Sequence, residues 1–104
     1  MTDRELLELA AKAAGIEGVI SVDHKFIWTK NATERWNPLQ DDGDALRLAV
    51  KLKLKVYQGD LVAIVHPRMS HAYIAEEYER NGDHYAATRR AIVHAAAEIG
   101  KAMP

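Results

Sequence analysis

Apolar positions recur at helical spacing at both ends of the chain and in its middle, and switch to strict alternation in between. Leu6, Leu7, Leu9, Ala10, Ala13 and Ala14 predict a first helix from Asp3 to Ala14 with a broad apolar face. Thr2 or Asp3 is placed to cap it, Glu5 sits in its positive first turn, and Gly15 supplies a left-handed stop. A second helix is predicted from Asp41 to Leu54. Ala45, Leu48, Ala49 and Leu52 share one face, which Leu46 and Val50 widen. Asp41 or Asp42 caps this helix, Asp44 complements its dipole, and Lys51, Lys53 and Lys55 lie near its negative end. The period then falls to two. Lys55–Gln58 and Leu61–His66 read as a hairpin around a Gly59-Asp60 turn, and Pro67 ends the second strand. Ala72 to Glu79 predicts a third strand, with a helical reading of Ile74 to Arg80 in competition. Asn81-Gly82-Asp83 is a turn on either reading. A last helix runs from Tyr85 to Met103, capped by Asp83, with Ala87, Ala91, Ala95 and Ile99 stacked at spacing four. Gly100 is expected to loosen its final turn.

The pattern is weaker between Ile16 and Gln40. Val19–Val22 and Phe26–Trp28 predict two short strands joined by an Asp23–Lys25 turn, and Asn31–Pro38 an ordered loop carrying Trp36. Three amphipathic helices and a small sheet need at least two interfaces. The expected fold is therefore α+β, an α/β/α sandwich with a small antiparallel sheet between helices, in a single domain over residues 1–104.

Composition narrows the functional classes. The chain has no cysteine, which excludes disulfides, thiolate metal sites and cysteine nucleophiles. Fourteen basic and fifteen acidic residues leave a net charge of −1, so no bulk attraction to nucleic acid or to an anionic membrane is expected. The longest apolar run, Leu61–Val65, falls far short of the roughly 20 residues that span a bilayer, and the charged start is unlike a signal peptide.

Two segments bear on biological setting. Trp36-Asn-Pro-Leu-Gln-Asp-Asp-Gly-Asp-Ala-Leu-Arg-Leu-Ala-Val-Lys-Leu52 and Ala86-Ala-Thr-Arg-Arg-Ala-Ile-Val-His-Ala-Ala-Ala-Glu-Ile-Gly100 resemble, in order and separation, the phage ABA sandwich domain family. The resemblance implies a phage or prophage origin, an α/β/α sandwich and a bacterial cytoplasm. It carries over no active site.

Candidate chemistry is sparse. Helix capping accounts for Asp41, Asp42 and Asp44 without a cation, because lysines occupy the distal positions where a calcium loop needs its closing Glu. The five histidines, His24, His66, His71, His84 and His94, include no pair at helical ligand spacing, and Ser70-His71 lacks a nucleophile elbow. No metal, cofactor or catalytic residue is expected. Trp36 is either a packing residue stapled near Ala45 or Leu46, or an exposed binding anchor. Arg47, Lys51, Arg89 and Arg90 form a modest basic patch if the second and last helices adjoin. The reading that follows is a phage or prophage accessory protein acting by binding a host or phage protein. Its alternative is a weakly nucleic-acid-associated protein using that patch together with Lys53.

Overall fold

The computed structural model describes residues 1–30, 33–67 and 73–104. Ten elements follow in order: α1 (Asp3–Ala14), β1 (Val19–Ile20), β2 (Ile27–Thr29), β3 (Glu34–Trp36), α2 (Asp42–Leu52), β4 (Lys55–Gln58), β5 (Val62–His66), β6 (Ile74–Glu77), α3 (Tyr78–Asn81) and α4 (His84–Ala102). Helix α1 begins in a capping box. The Glu5 N–H donates to Thr2 Oγ1 at 3.2 Å while the Glu5 carboxylate accepts from the Thr2 N–H at 3.3 Å. Donation from the Thr2 N–H and the Thr2 hydroxyl holds the Glu5 carboxyl below its ordinary pKa. Gly15 ends the helix at φ 70°, a left-handed conformation that glycine adopts without steric cost. Asp41 caps α2 through the Asp44 N–H at 2.8 Å, and Asp83 caps α4 through the Ala86 N–H at 2.7 Å.

Two antiparallel three-stranded sheets form, β1-β2-β3 and β4-β5-β6. The first was anticipated as two strands and a loop. Its third strand, β3, lies within the Asn31–Pro38 stretch read as a loop; Asn31 and Ala32 themselves are outside the described residues. The strand was hidden because only one of its side chains turns inward. Trp36 pairs with Ile27 and is buried, while Glu34 and Arg35 face water. On the other face the Arg35 guanidinium lies 4.9 Å from the Phe26 ring centroid and 5.4 Å from that of Trp28, a cation–π contact that holds β3 to β2. The β1–β2 turn is ordered by the buried Ser21 hydroxyl. It lies 2.6 Å from Asp23 and accepts from the Lys25 and Phe26 N–H groups.

In the second sheet the hairpin closes one residue later than expected. Val56 pairs with Val65 and Gln58 with Ala63, and the Gly59 N–H donates to Val62 O at 2.9 Å. The two turn residues are therefore Asp60 and Leu61, not Gly59 and Asp60. Both readings of the following segment are partly realised: β6 covers Ile74–Glu77 and α3 begins at Tyr78. His71 and Ala72 lie outside the described residues.

The architecture is α+β, with α4 at its centre. This helix packs on the second sheet and also against α1 and α2, so a helix rather than a sheet is the shared layer. Ala87, Ala91 and Ala95 form a completely buried stripe. Thr88 and His84, on the same side, touch Gln58 and Tyr78, which marks the stripe as the face toward the sheet. Ile99, expected on that stripe, is half-buried. Beyond it, Ile92, Val93, Ala96, Ala97 and Gly100 are buried as well, so α4 is enclosed on several sides. Gly100 does not act chiefly as a loose end. A methyl group there would collide with the Leu9 carbonyl oxygen, so its missing side chain lets α1 and α4 touch backbone to backbone.

Candidate functional site

Helix α2 reaches α4 with two small residues, Ala45 and Ala49. Alanine fills little of the space between two helices, and a cleft of about 530 Å³ remains between α2, α4 and β4. Its wall is mostly apolar: Ala45, Leu46 and Ala49 from α2, Val56 from β4, Tyr85 and Ile92 from α4. Leu46 and Tyr85 are 63% and 69% exposed at the rim, and Val50, 67% exposed, lies one turn further along α2. Large apolar side chains are therefore exposed at and beside the mouth of the cleft.

Polar groups fix the cleft's ends. Arg89 donates from Nε to the Leu39 carbonyl at 3.0 Å and from Nη1 to Asp42 at 2.7 Å, tying α4 to the start of α2. Gln58 Nε2 donates to Thr88 Oγ1 at 2.8 Å. The Tyr78 hydroxyl lies 2.8 Å from Gly59 O and 3.0 Å from Gln58 Oε1, and its ring sits 4.0 Å from that of His84. The Gln58–Thr88 bond pins the far end of β4 to α4, and Tyr78 ties the same end to α3.

A second, larger depression of about 1090 Å³ lies between the α1–β1 loop, the first sheet and α2. Lys30, Arg35, Arg47 and Lys51 line it together with Glu17, Glu34 and Asp44, so its charge is mixed.

Of the five residues singled out from sequence, Trp36, Arg47 and Lys51 border this second depression, whereas Arg89 lines the cleft. Trp36 is 7% exposed and belongs to the core, the packing alternative of the two. Arg47 is held by Asp44 at 2.7 Å, with Asp41 at 3.8 Å. The Asp44 hydrogen bond keeps its guanidinium still more firmly protonated than usual. Arg89 is bonded to Asp42, and Arg90 to Asp3 at 3.0 Å with Glu76 at 3.9 Å. Lys51 remains exposed. The expected basic patch is thus divided and its arginines are paired, because first-turn acids of α1 and α2 lie against them. The three Asp residues are likewise accounted for: Asp41 caps, Asp42 holds Arg89, and Asp44 accepts from Arg47 and from the Asn37 N–H at 2.9 Å. Ser70 and His71 lie outside the described residues.

Sequence reading missed the cleft residues Leu46, Val56, Tyr85 and Ile92. The available signal was Leu46 and Val50, apolar residues lying off the main stripe of α2. No family model, curated protein or solved structure matches the chain. Among the described residues no helix is long and apolar enough to cross a membrane.

Proposed function

We propose that this chain is a small phage or prophage accessory protein that acts in a bacterial cytoplasm by binding another protein. The observation that carries the binding reading is the apolar cleft between α2, α4 and β4, rimmed by exposed Leu46 and Tyr85. An apolar centre with a sparse polar border is the composition that excludes water from a protein contact. The phage setting rests on the resemblance of residues 36–52 and 86–100 to the phage ABA sandwich domain family.

Co-purification from phage-infected bacterial lysate tests this reading. The parent protein is expected to retain a partner that Leu46→Glu loses at unchanged melting temperature, since Leu46 is mostly exposed and its replacement leaves the core intact. Equal capture by both proteins removes the cleft from the contact. A steep loss of mixed DNA or RNA binding with salt, in place of protein capture, replaces this reading with nucleic-acid association.

A further inference from the structure

The strand that borders the cleft has an unpaired outer edge. Strand β4 is terminal in its sheet, so one side of its backbone faces no other strand among the described residues. Its ladder with β5 matches Lys55 to His66 and Tyr57 to Ile64, and continues to the Gly59–Val62 pair, where the Gly59 N–H donates to Val62 O. Bonded and non-bonded pairs alternate along an antiparallel ladder. Gly59, Tyr57 and Lys55 therefore direct their backbone groups to β5, while Val56 and Gln58 direct theirs to the open edge. The side chains of Val56 and Gln58 share a sheet face with Val65 and Ala63 and line the cleft. Free backbone donors and acceptors thus stand beside a preformed apolar cavity.

Charge gives the edge a direction. Lys53 and Lys55 lie where α2 turns into β4, and neither forms an ion pair among the described residues. At the opposite end of the cleft Asp42 already neutralises Arg89.

We propose that β4 accepts an extended peptide segment of the partner protein as an added antiparallel strand. Apolar side chains at alternate positions of the segment enter the cleft between α2 and α4, and an acidic residue at its C-terminal end meets Lys53 and Lys55. An antiparallel segment runs from the Gln58 end to the Lys55 end, which brings its C-terminal side to the lysines. Main-chain hydrogen bonds supply affinity in this mode and the cavity supplies selection for side chains. A free edge beside exposed apolar surface is a feature that proteins otherwise cover or blunt. This inference rests on the protein-binding reading and specifies how the partner is held.

The test uses a short fluorescein-labelled peptide alternating Thr and Val and ending in two glutamates, with fluorescence polarisation and amide hydrogen exchange as readouts. Binding is expected to slow exchange of the Val56 and Gln58 amides and leave that of Tyr57, already bonded to β5, nearly unchanged. The same peptide N-methylated on its pairing amides should bind about tenfold more weakly or worse, the equivalent of one lost hydrogen bond. A version ending in two lysines should also bind more weakly, with the difference shrinking as salt is added. Val56→Pro removes an outward N–H at a position where an edge strand tolerates proline, and should weaken binding similarly. If that variant does not fold, the N-methylated peptide against the parent protein decides. Equal binding of the methylated peptide, unchanged exchange at Val56 and Gln58, or no binding at millimolar peptide each overturn strand addition. Partner capture that Leu46→Glu abolishes but Val56→Pro leaves intact overturns strand addition while protein binding stands. Capture indifferent to both substitutions overturns both.

Discussion

Helix α4 meets α1 on one flank and α2 on another, and the two contacts are built in opposite ways. Against α1 the backbones touch. Gly100 lies on the Leu9 carbonyl, Arg90 reaches Asp3 at 3.0 Å, and Lys12 Nζ donates to the Met103 carbonyl at 3.0 Å, so the two helices run parallel along a closed seam. Against α2 small residues, Ala45 and Ala49, also face α4, but a cleft lies between the two helices. Arg89 ties α4 to the start of α2, Gln58 ties β4 to α4, and the cleft of about 530 Å³ remains between the three elements. Small side chains therefore do not by themselves decide whether two helices close on each other. The same small residues accompany a closed seam on one flank and an open cleft on the other.

The largest expected effect calibrates the comparison from outside it. Trp36→Ala removes a buried indole from the first sheet and should cost about 3–5 kcal/mol in urea unfolding. A midpoint equal to the parent's would return Trp36 to the surface. Next comes the seam. In an ordinary exposed helix Gly→Ala is worth about 1 kcal/mol of stabilisation. Gly100→Ala should reverse that sign and cost about 3 kcal/mol, because the added methyl must push α1 from α4. A stabilised Gly100→Ala protein would mean that the seam is not closed.

Ala95→Leu probes the stripe toward the second sheet. Ala95 is completely buried, and the larger side chain should cost about 2 kcal/mol by overpacking. The smallest effect belongs to the cleft. Ala49→Leu adds the same atoms beside an open space and should change stability by less than about 1 kcal/mol, while reducing partner or peptide binding. If Ala49→Leu and Ala95→Leu cost the same, the cleft is not open in solution and the contrast between the flanks fails. Thermal or urea unfolding of both variants, measured side by side, decides it.

Much of the local structure was legible from residue order. The bounds of α1 follow from its apolar spacing together with Thr2 and Gly15, and the caps of α2 and α4 from Asp41 and Asp83. These are interactions within a few residues, so sequence distance equals spatial distance. Strand β3 was not legible, because two of its three residues are charged and its pairing to β2 depends on Trp36 finding Ile27. The hairpin turn was displaced because the pairing of β4 with β5, and not the presence of Gly59, set which residues lie at the bend. The candidate site was the least legible part. Arg89 and Arg90 looked like free cations until the fold brought Asp42 and Asp3 beside them, whereas Asp44 and Arg47 are neighbours three residues apart on α2.

The sequence by itself determined the helices, their caps, the strand-forming segments and the lack of any thiol chemistry, since each depends on nearest neighbours along the chain or on composition alone. Tertiary structure decided which small residues became a seam and which became a cleft, which cations were neutralised, and which strand kept an open edge. Those outcomes depend on how far apart backbones from distant segments come to rest. That distance is set by contacts such as Gly100 on Leu9 and Arg89 on Leu39, whose partners lie tens of residues away in the chain.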